Sequence, residues 1–198
     1  MPKDKQAAIS GVEKKAALIG EVADCIWDYA ELSLQEERSA AKYCAVLEAE
    51  GFTVERGICS IPTAFSASYG SGRPVIGLLA EYDALSGMSQ KAGSVEREET
   101  VPGGNGHGCG HNLLGAGAMA AALGVKAWLE QTGNPGTVIL YGCPGEEGGA
   151  AKAFMAREEL WRKLDAALTW HPDDVNEVVT GSSNSCIQTQ YHFTGVAA

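Results

Sequence analysis

Residues 111–143 read HNLLGAGAMAAALGVKAWLEQTGNPGTVILYGC, and their pattern decides the fold class. His111 to Gln131 predicts a helix rich in alanine and glycine, whose small side chains let its backbone sit close to a sheet. Gly133-Asn134-Pro135-Gly136 stops that helix, and Thr137 to Cys143 follows as a buried strand.

The same alternation extends in both directions. Upstream, Pro74 to Ala80 and Ala64 to Tyr69 read as strands joined by Gly70-Ser71-Gly72-Arg73, a strand pair by local turn chemistry, and Phe52 to Arg56 is a further short run. Ser33 with Glu36 three residues on is a capping-box signature for a helix through Tyr43 and Leu47, which Gly51 ends. Ile9, Val12, Ala16, Ile19, Val22 and Ile26 recur at helical spacing, so residues 6–30 predict one amphipathic helix. Downstream, Ala150 to Leu164 reads as a helix and Ala166 to Trp170, Val175 to Thr180 and Cys186 to Val196 as strands. Strands alternating with helices predict an α/β sandwich whose sheet is mixed but mostly parallel.

Composition narrows the function. The 198 residues include 45% hydrophobic and 20% charged side chains, with 15 basic against 25 acidic, a net charge of -10 and a pI near 4.8. No basic surplus exists to neutralise phosphates, so neither a nucleic acid nor an anionic membrane is expected as partner. No uninterrupted apolar run, Val75 to Ala80 included, reaches the ~18 residues of a membrane span. No secretory signal fits the start, and six cysteines without short paired spacing read as reduced thiols in a cytoplasmic protein. Cys25, Cys44 and Cys186 read as core filler. Glycine, with 25 residues, is well above the ~7% average, and 14 of them fall between Gly103 and Gly149. Ser86 to Gly108 is a long loop, and loops of that length in compact domains are usually functional.

Polar residues follow three of the expected strands: Glu81-Tyr82-Asp83, Glu146-Glu147 and His171. Ligands of open α/β sheets bind outside the carboxyl ends of strands, so these groups converge on one rim. His107-Gly108-Cys109-Gly110-His111 joins them from the start of the central helix. Histidine, cysteine and carboxylates together suit a transition-metal site. Each piece alone has an ordinary structural explanation: a hydrogen-bonded histidine, a small buried thiol, a solvated acidic loop. Pro144-Gly145 and Gly148-Gly149 bracket the acidic pair with backbone that a surface helix would not use, and adjacent carboxylates can divide metal binding and proton transfer. A dinucleotide loop at 103–110 lacks the required preceding hydrophobic strand, and the chain has no Gly-Lys-Ser or Gly-Lys-Thr.

Gly106-His107-Gly108-Cys109-Gly110-His111-Asn112-Leu113-Leu114-Gly115, Tyr141-Gly142-Cys143-Pro144-Gly145-Glu146-Glu147-Gly148-Gly149 and Leu168-Thr169-Trp170-His171-Pro172 together resemble the amidohydrolase branch of the aminoacylase and carboxypeptidase metallopeptidases. Ala80-Glu81-Tyr82-Asp83-Ala84-Leu85-Ser86-Gly87 supports the same resemblance, and Asn112, where most of the branch has Asp, resembles the type that cleaves p-aminobenzoyl-glutamate. The resemblance runs from about residue 15 to the end. It implies a three-layer, zinc-exopeptidase-like catalytic domain and a hydrolase of N-acyl or N-aroyl amino acids that uses two divalent metal ions, Zn or Mn. It implies Cys109, His111, Glu147 and His171 as metal ligands, Glu146 as general base, and Asp83 and His107 as residues supporting the ligands from behind.

Two metals draw on about five protein ligands, and the chain offers four; His192 reads as a solvent-facing strand residue. The resemblance implies that residues 1–198 form the N-terminal portion of the catalytic domain, with a lid or dimerisation domain and a closing segment beyond it, and a homodimer or hetero-oligomer as the assembly. Two alternatives stay open at this stage. One is a split member, inactive without a C-terminal partner; the other is a thiol-based metal-sensing or redox module built on Cys109.

Overall fold

The computed structural model of the chain describes residues 3–178, 182, 184, 185, 187, 189 and 191–196. Among the described residues ten regular elements follow one another: α1 (Lys3–Lys14), α2 (Ala16–Tyr29), α3 (Glu37–Ala49), β1 (Thr53–Arg56), β2 (Phe65–Ser71), β3 (Val75–Ala80), α4 (His111–Thr132), β4 (Gly136–Gly142), α5 (Ala151–Arg157) and β5 (Ala166–Leu168). The five strands form one sheet in the order β1-β2-β4-β3-β5. β3 is parallel to both β4 and β5, while β2 is antiparallel to both β1 and β4, so β2 alone runs against the other four.

The side chains of β4 show why the sheet is covered on both faces. Val138 and Leu140 point into one core with Ile26, Tyr43, Leu47, Phe65 and Met119; Ile139 and Tyr141, with Cys143 beyond the strand, point into another with Ile58 and Met155. This period-two division places α2, α3 and α4 on one face of the sheet and α5 with the single turn Leu160–Lys163 on the other. The expected three-layer α/β sandwich with a mixed sheet is therefore present.

α4 has the length and hydropathy of a membrane span, but 56% of its most apolar window is buried in the protein. Its apolar surface is used against α1, α2, β3 and β4. Small residues make that packing close: a Cβ on Gly115 would lie 2.6 Å from the carbonyl oxygen of Glu81, so any larger residue would push the helix off the end of β3.

Several local expectations give way to tertiary packing. β2 and β3 are not paired with each other, because β4 inserts between them with Ser68 opposite Ile139 and Leu78 opposite Leu140. Both flanking strands thereby bury apolar residues that a two-stranded hairpin would leave in water. The expected helix over 6–30 is two helices, broken at Lys15 and both packed on α4. Residues 33 and 36 form no capping box: Glu36 makes no side-chain cap, and both side chains are used in contacts described below. The helix expected over 150–164 is regular only to Arg157. β5 ends at Leu168, and the described residues of 175–178 and 187–196 form no strand, with 179, 180, 186, 188 and 190 lying outside the described set. Cys44 is buried and Cys25 half-buried, while Cys186 lies outside the described residues.

Candidate metal centre

The registers place the carboxyl ends of β3, β4 and β5 side by side, Ala80 opposite Gly142 and Leu78 opposite Leu168. The first residues past each strand therefore meet at one rim. Past β3, Glu81 and Asp83 face the rim, while the Tyr82 ring packs into the core beside Tyr43 and Phe65, as alternation along an extended chain requires. α4 begins at this rim with His111, and Gly110 at φ 79° turns the chain into the helix. Past β5, the indole of Trp170 donates to the carbonyl of Leu114 at 3.0 Å and lies against Gly117, which delivers His171 to the start of α4.

His111 is the hub. Its ring is buried, and Nδ1 lies 2.9 Å from Oδ1 of Asp83 and 3.1 Å from the Asp83 carbonyl oxygen. Both contacts are acceptors, which assigns the ring proton to Nδ1 and leaves Nε2 as a lone-pair donor to a ligand. Nε2 is 3.2 Å from Oε2 of Glu81, 3.9 Å from Oε1 of Glu147 and 4.0 Å from Oε2 of Glu146, yet forms no hydrogen bond with any of them. Oε1 of Glu147 is likewise buried without a partner among the described residues. Sγ of Cys109 lies 3.3 Å from Nε2 of His171, whose ring stands edge-on to that of His111. Two groups of ligand atoms result, Cys109-His111-His171 and Glu81-His111-Glu146, each with its atoms within 4.8 Å of one another.

Electrostatics follow from this crowding. Burial would raise the Asp83 carboxyl, but its bonds from His111, the Glu147 amide and the Ser33 hydroxyl more than offset that and hold it below the usual range. Burial pulls His111 down, and Asp83, Glu81 and Glu147 together draw it above the ordinary histidine value. Burial and the surrounding Glu147, Glu146 and Glu81 push the Cys109 thiol up to about 11. An activated thiol shows the opposite shift, so this environment suits a ligand that ionises on meeting a cation rather than a free nucleophile. Sulfur, imidazole and carboxylate donors, two of them buried and unpartnered, fit a divalent transition metal.

Of the residues expected from the sequence, Cys109, His111, Glu146, Glu147, His171 and Asp83 are brought together. His107 is not among them: its Nε2 bonds the Ile26 carbonyl oxygen at 2.9 Å and its ring lies near Trp27, on the α2 side of the loop. Glu81 carries no ligand role in the sequence reading and belongs to the cluster, held by Lys152 from α5. Its spacing of two from Asp83 at a strand end carries that signal, since both side chains must leave the same face.

Residues 77–189 match the family described as Peptidase family M20/M25/M40. The chain belongs to that family. Within it, the chain is 53% identical over 178 residues to one of the subunits of p-aminobenzoyl-glutamate hydrolase from Escherichia coli (strain K12), covering 90% of this chain and 37% of that protein. It is 29% identical to the Xaa-Arg dipeptidase of Mus musculus, covering 87% of this chain and 39% of the relative. The fold superposes, with a TM-score of 0.62 and 24% identity, on a dinuclear metal binding peptidase of the M20 family from Bacillus subtilis, over 80% of this chain and 44% of that one. The chain thus spans less than two fifths of the length of the curated relatives it matches.

Proposed function

We propose that this chain carries the catalytic rim of a metal-dependent amide hydrolase acting on N-acyl or N-aroyl amino acids such as p-aminobenzoyl-glutamate. One observation carries the reading: Nε2 of His111 and Oε1 of Glu147, both buried and unpartnered, face each other across 3.9 Å beside Cys109, His171, Glu81 and Glu146. Leaving two such atoms without bonds costs about 1–3 kcal/mol each, a cost that ligand duty explains. The name of the 53% identical relative supports the substrate class.

Cys109, His111, Glu147 and His171 would hold two divalent cations, zinc or manganese, which supply an acidified water and a polarised amide carbonyl. Asp83 keeps the His111 proton on Nδ1 so that Nε2 is available. Glu146, whose side chain is 42% exposed at the rim, takes the proton from the attacking water at a carboxylate oxygen and delivers it to the leaving amine nitrogen. These four ligands fall short of the number two cations draw on, and Glu81 or a group from outside these residues would supply the remainder. That the curated relative is a subunit by name supports a partner chain as its source.

The test is p-aminobenzoyl-glutamate hydrolysis with added Mn or Zn, with and without a candidate partner chain. Close to two equivalents of metal with turnover supports the enzyme, and turnover only with the partner supports the split form. Glu146→Gln should keep its metal and lose roughly 10²-fold or more in kcat. Near-normal turnover in that variant would remove Glu146 as the base.

A further inference from the structure

We infer that Glu36 is a positioning residue that ties the Gly145 amide, on the near side of Glu146, to residue 34 and, with Asp83 holding the far side, sets the aim of the Glu146 carboxylate; the inference rests on the general-base reading of Glu146.

Glu36 is fully buried just before α3. A single oxygen, Oε1, accepts from the amide of Leu34 at 2.9 Å and from the amide of Gly145 at 2.8 Å. Two residues further along the same loop, the amide of Glu147 donates to Oδ2 of Asp83 at 2.9 Å, and the Ser33 hydroxyl donates to that oxygen at 2.7 Å. The amides of the two residues flanking Glu146 are thus each held by a buried carboxylate oxygen, and each of those oxygens is tied to residues 33–34. Leu34 completes the arrangement from above. A Cβ on Gly145 would come within 2.9 Å of Leu34 Cδ2, and one on Gly149 within 2.7 Å of Cδ1, so these glycines leave the space that the leucine occupies.

The Glu146 side chain itself makes no hydrogen bond among the described residues, and its Oε2 stands 4.0 Å from His111 Nε2. Its direction is therefore inherited from the backbone. A misplacement of about 1 Å at a reacting group can cost on the order of 10²-fold in rate. A buried carboxylate whose bonding oxygen meets only amides is an expensive way to fill space, since an apolar residue of similar volume would avoid the desolvation cost. Its bonds to Leu34 and Gly145 give that cost a purpose.

Oε1 acts as an acceptor, so the amide oxygen of Glu36→Gln can replace it, whereas Glu36→Asp keeps the charge and withdraws the oxygen by about 1.5 Å, one bond length. In the metal-loaded protein, in the assembly that turns substrate over, Glu36→Asp and Glu36→Ala are expected to lower kcat by about 10-fold or more. KM should stay within about 2-fold and metal content should be unchanged, with Glu36→Gln close to wild type. Amide hydrogen exchange supplies a readout independent of turnover. Gly145 and Glu147 should be protected in the wild type although they lie in a loop, and Gly145 should exchange at least about 10-fold faster in the aspartate and alanine variants only. Unprotected Gly145 in the wild type, or wild-type exchange in Glu36→Asp, would overturn the inference, and the wild-type measurement decides even if a variant fails to fold. Equal kcat losses in Glu36→Gln and Glu36→Asp would also overturn it. Turnover surviving in Glu146→Gln would instead sink the general-base reading, while the exchange data still report whether Glu36 holds the loop.

Discussion

Oδ1 of Asp83 lies 2.9 Å from Nδ1 of His111, and this contact fixes which face of the imidazole meets the carboxylates of Glu81, Glu146 and Glu147. An Asp83→Asn side chain can present its NH₂ to Nδ1 and so favour the wrong tautomer. Metal affinity should fall by roughly 10–100-fold, the usual effect of losing a partner behind a ligand. Competition against a graded series of chelators measures it, and unchanged affinity would mean that His111 is oriented by its surroundings alone.

Gly115 lets α4 rest against the last turn of chain after β3, beside Glu81 and Tyr43. Gly115→Ala is expected to cost about 1–3 kcal/mol by overpacking. Because the same helix begins with His111, the loss should extend to metal affinity. Urea unfolding with and without metal separates the two effects, and a loss of stability with no change in the metal-dependent increment would separate helix packing from the site.

Burial raises the Glu36 carboxyl above its ordinary value, against the lowering by its backbone hydrogen bonds. The folded protein thus holds a proton there more tightly than the unfolded chain does. The contribution to stability is fully present below the unfolded pKa and is lost as pH rises through the folded one. Glu36→Gln removes this dependence, so its stability relative to wild type should increase as the pH rises above about 4 and level off once the pH has passed the raised folded value. Urea midpoints across that range provide the check, and a constant difference between the two proteins would place no titration at Glu36.

The thiol reading of Cys109 makes its own demand. Moving a thiol from an ordinary 9.0 to about 11 lowers its thiolate fraction at pH 8 roughly 100-fold. In chelator-treated protein Cys109 should therefore alkylate far more slowly than a free cysteine at that pH. Fast, metal-independent alkylation of Cys109 by iodoacetamide would restore the redox alternative.

The layered architecture and most of the rim are legible because they rest on strong local signals. Val138 to Cys143 alternate between two cores, and the polar residues sit where the strands end. What escapes depends on contacts distant in sequence. Gly70-Ser71-Gly72-Arg73 has the chemistry of a hairpin turn, but β4 arrives from more than 60 residues away to separate β2 from β3. Ser33 and Glu36 carry the spacing of a capping box and are used instead on Asp83 and Gly145. The spacing of Glu81 from Asp83 puts both on one face of the rim, but its approach to within 3.2 Å of His111 Nε2 joins residues 30 positions apart and is not legible from that spacing. The described residues of 187–196 lie in no strand, and period alone does not make one.

The candidate ligand residues come from four stretches of chain, 81–83, 109–111, 146–147 and 171, that meet only once the sheet has formed. A cation held among them acts as a cross-link closing loops of some thirty residues each, joining segments that otherwise rely on short strands and half-buried turns. Metal supply would then govern more than turnover. It would set how long the chain survives proteases, so that an unmetallated copy is also a short-lived one.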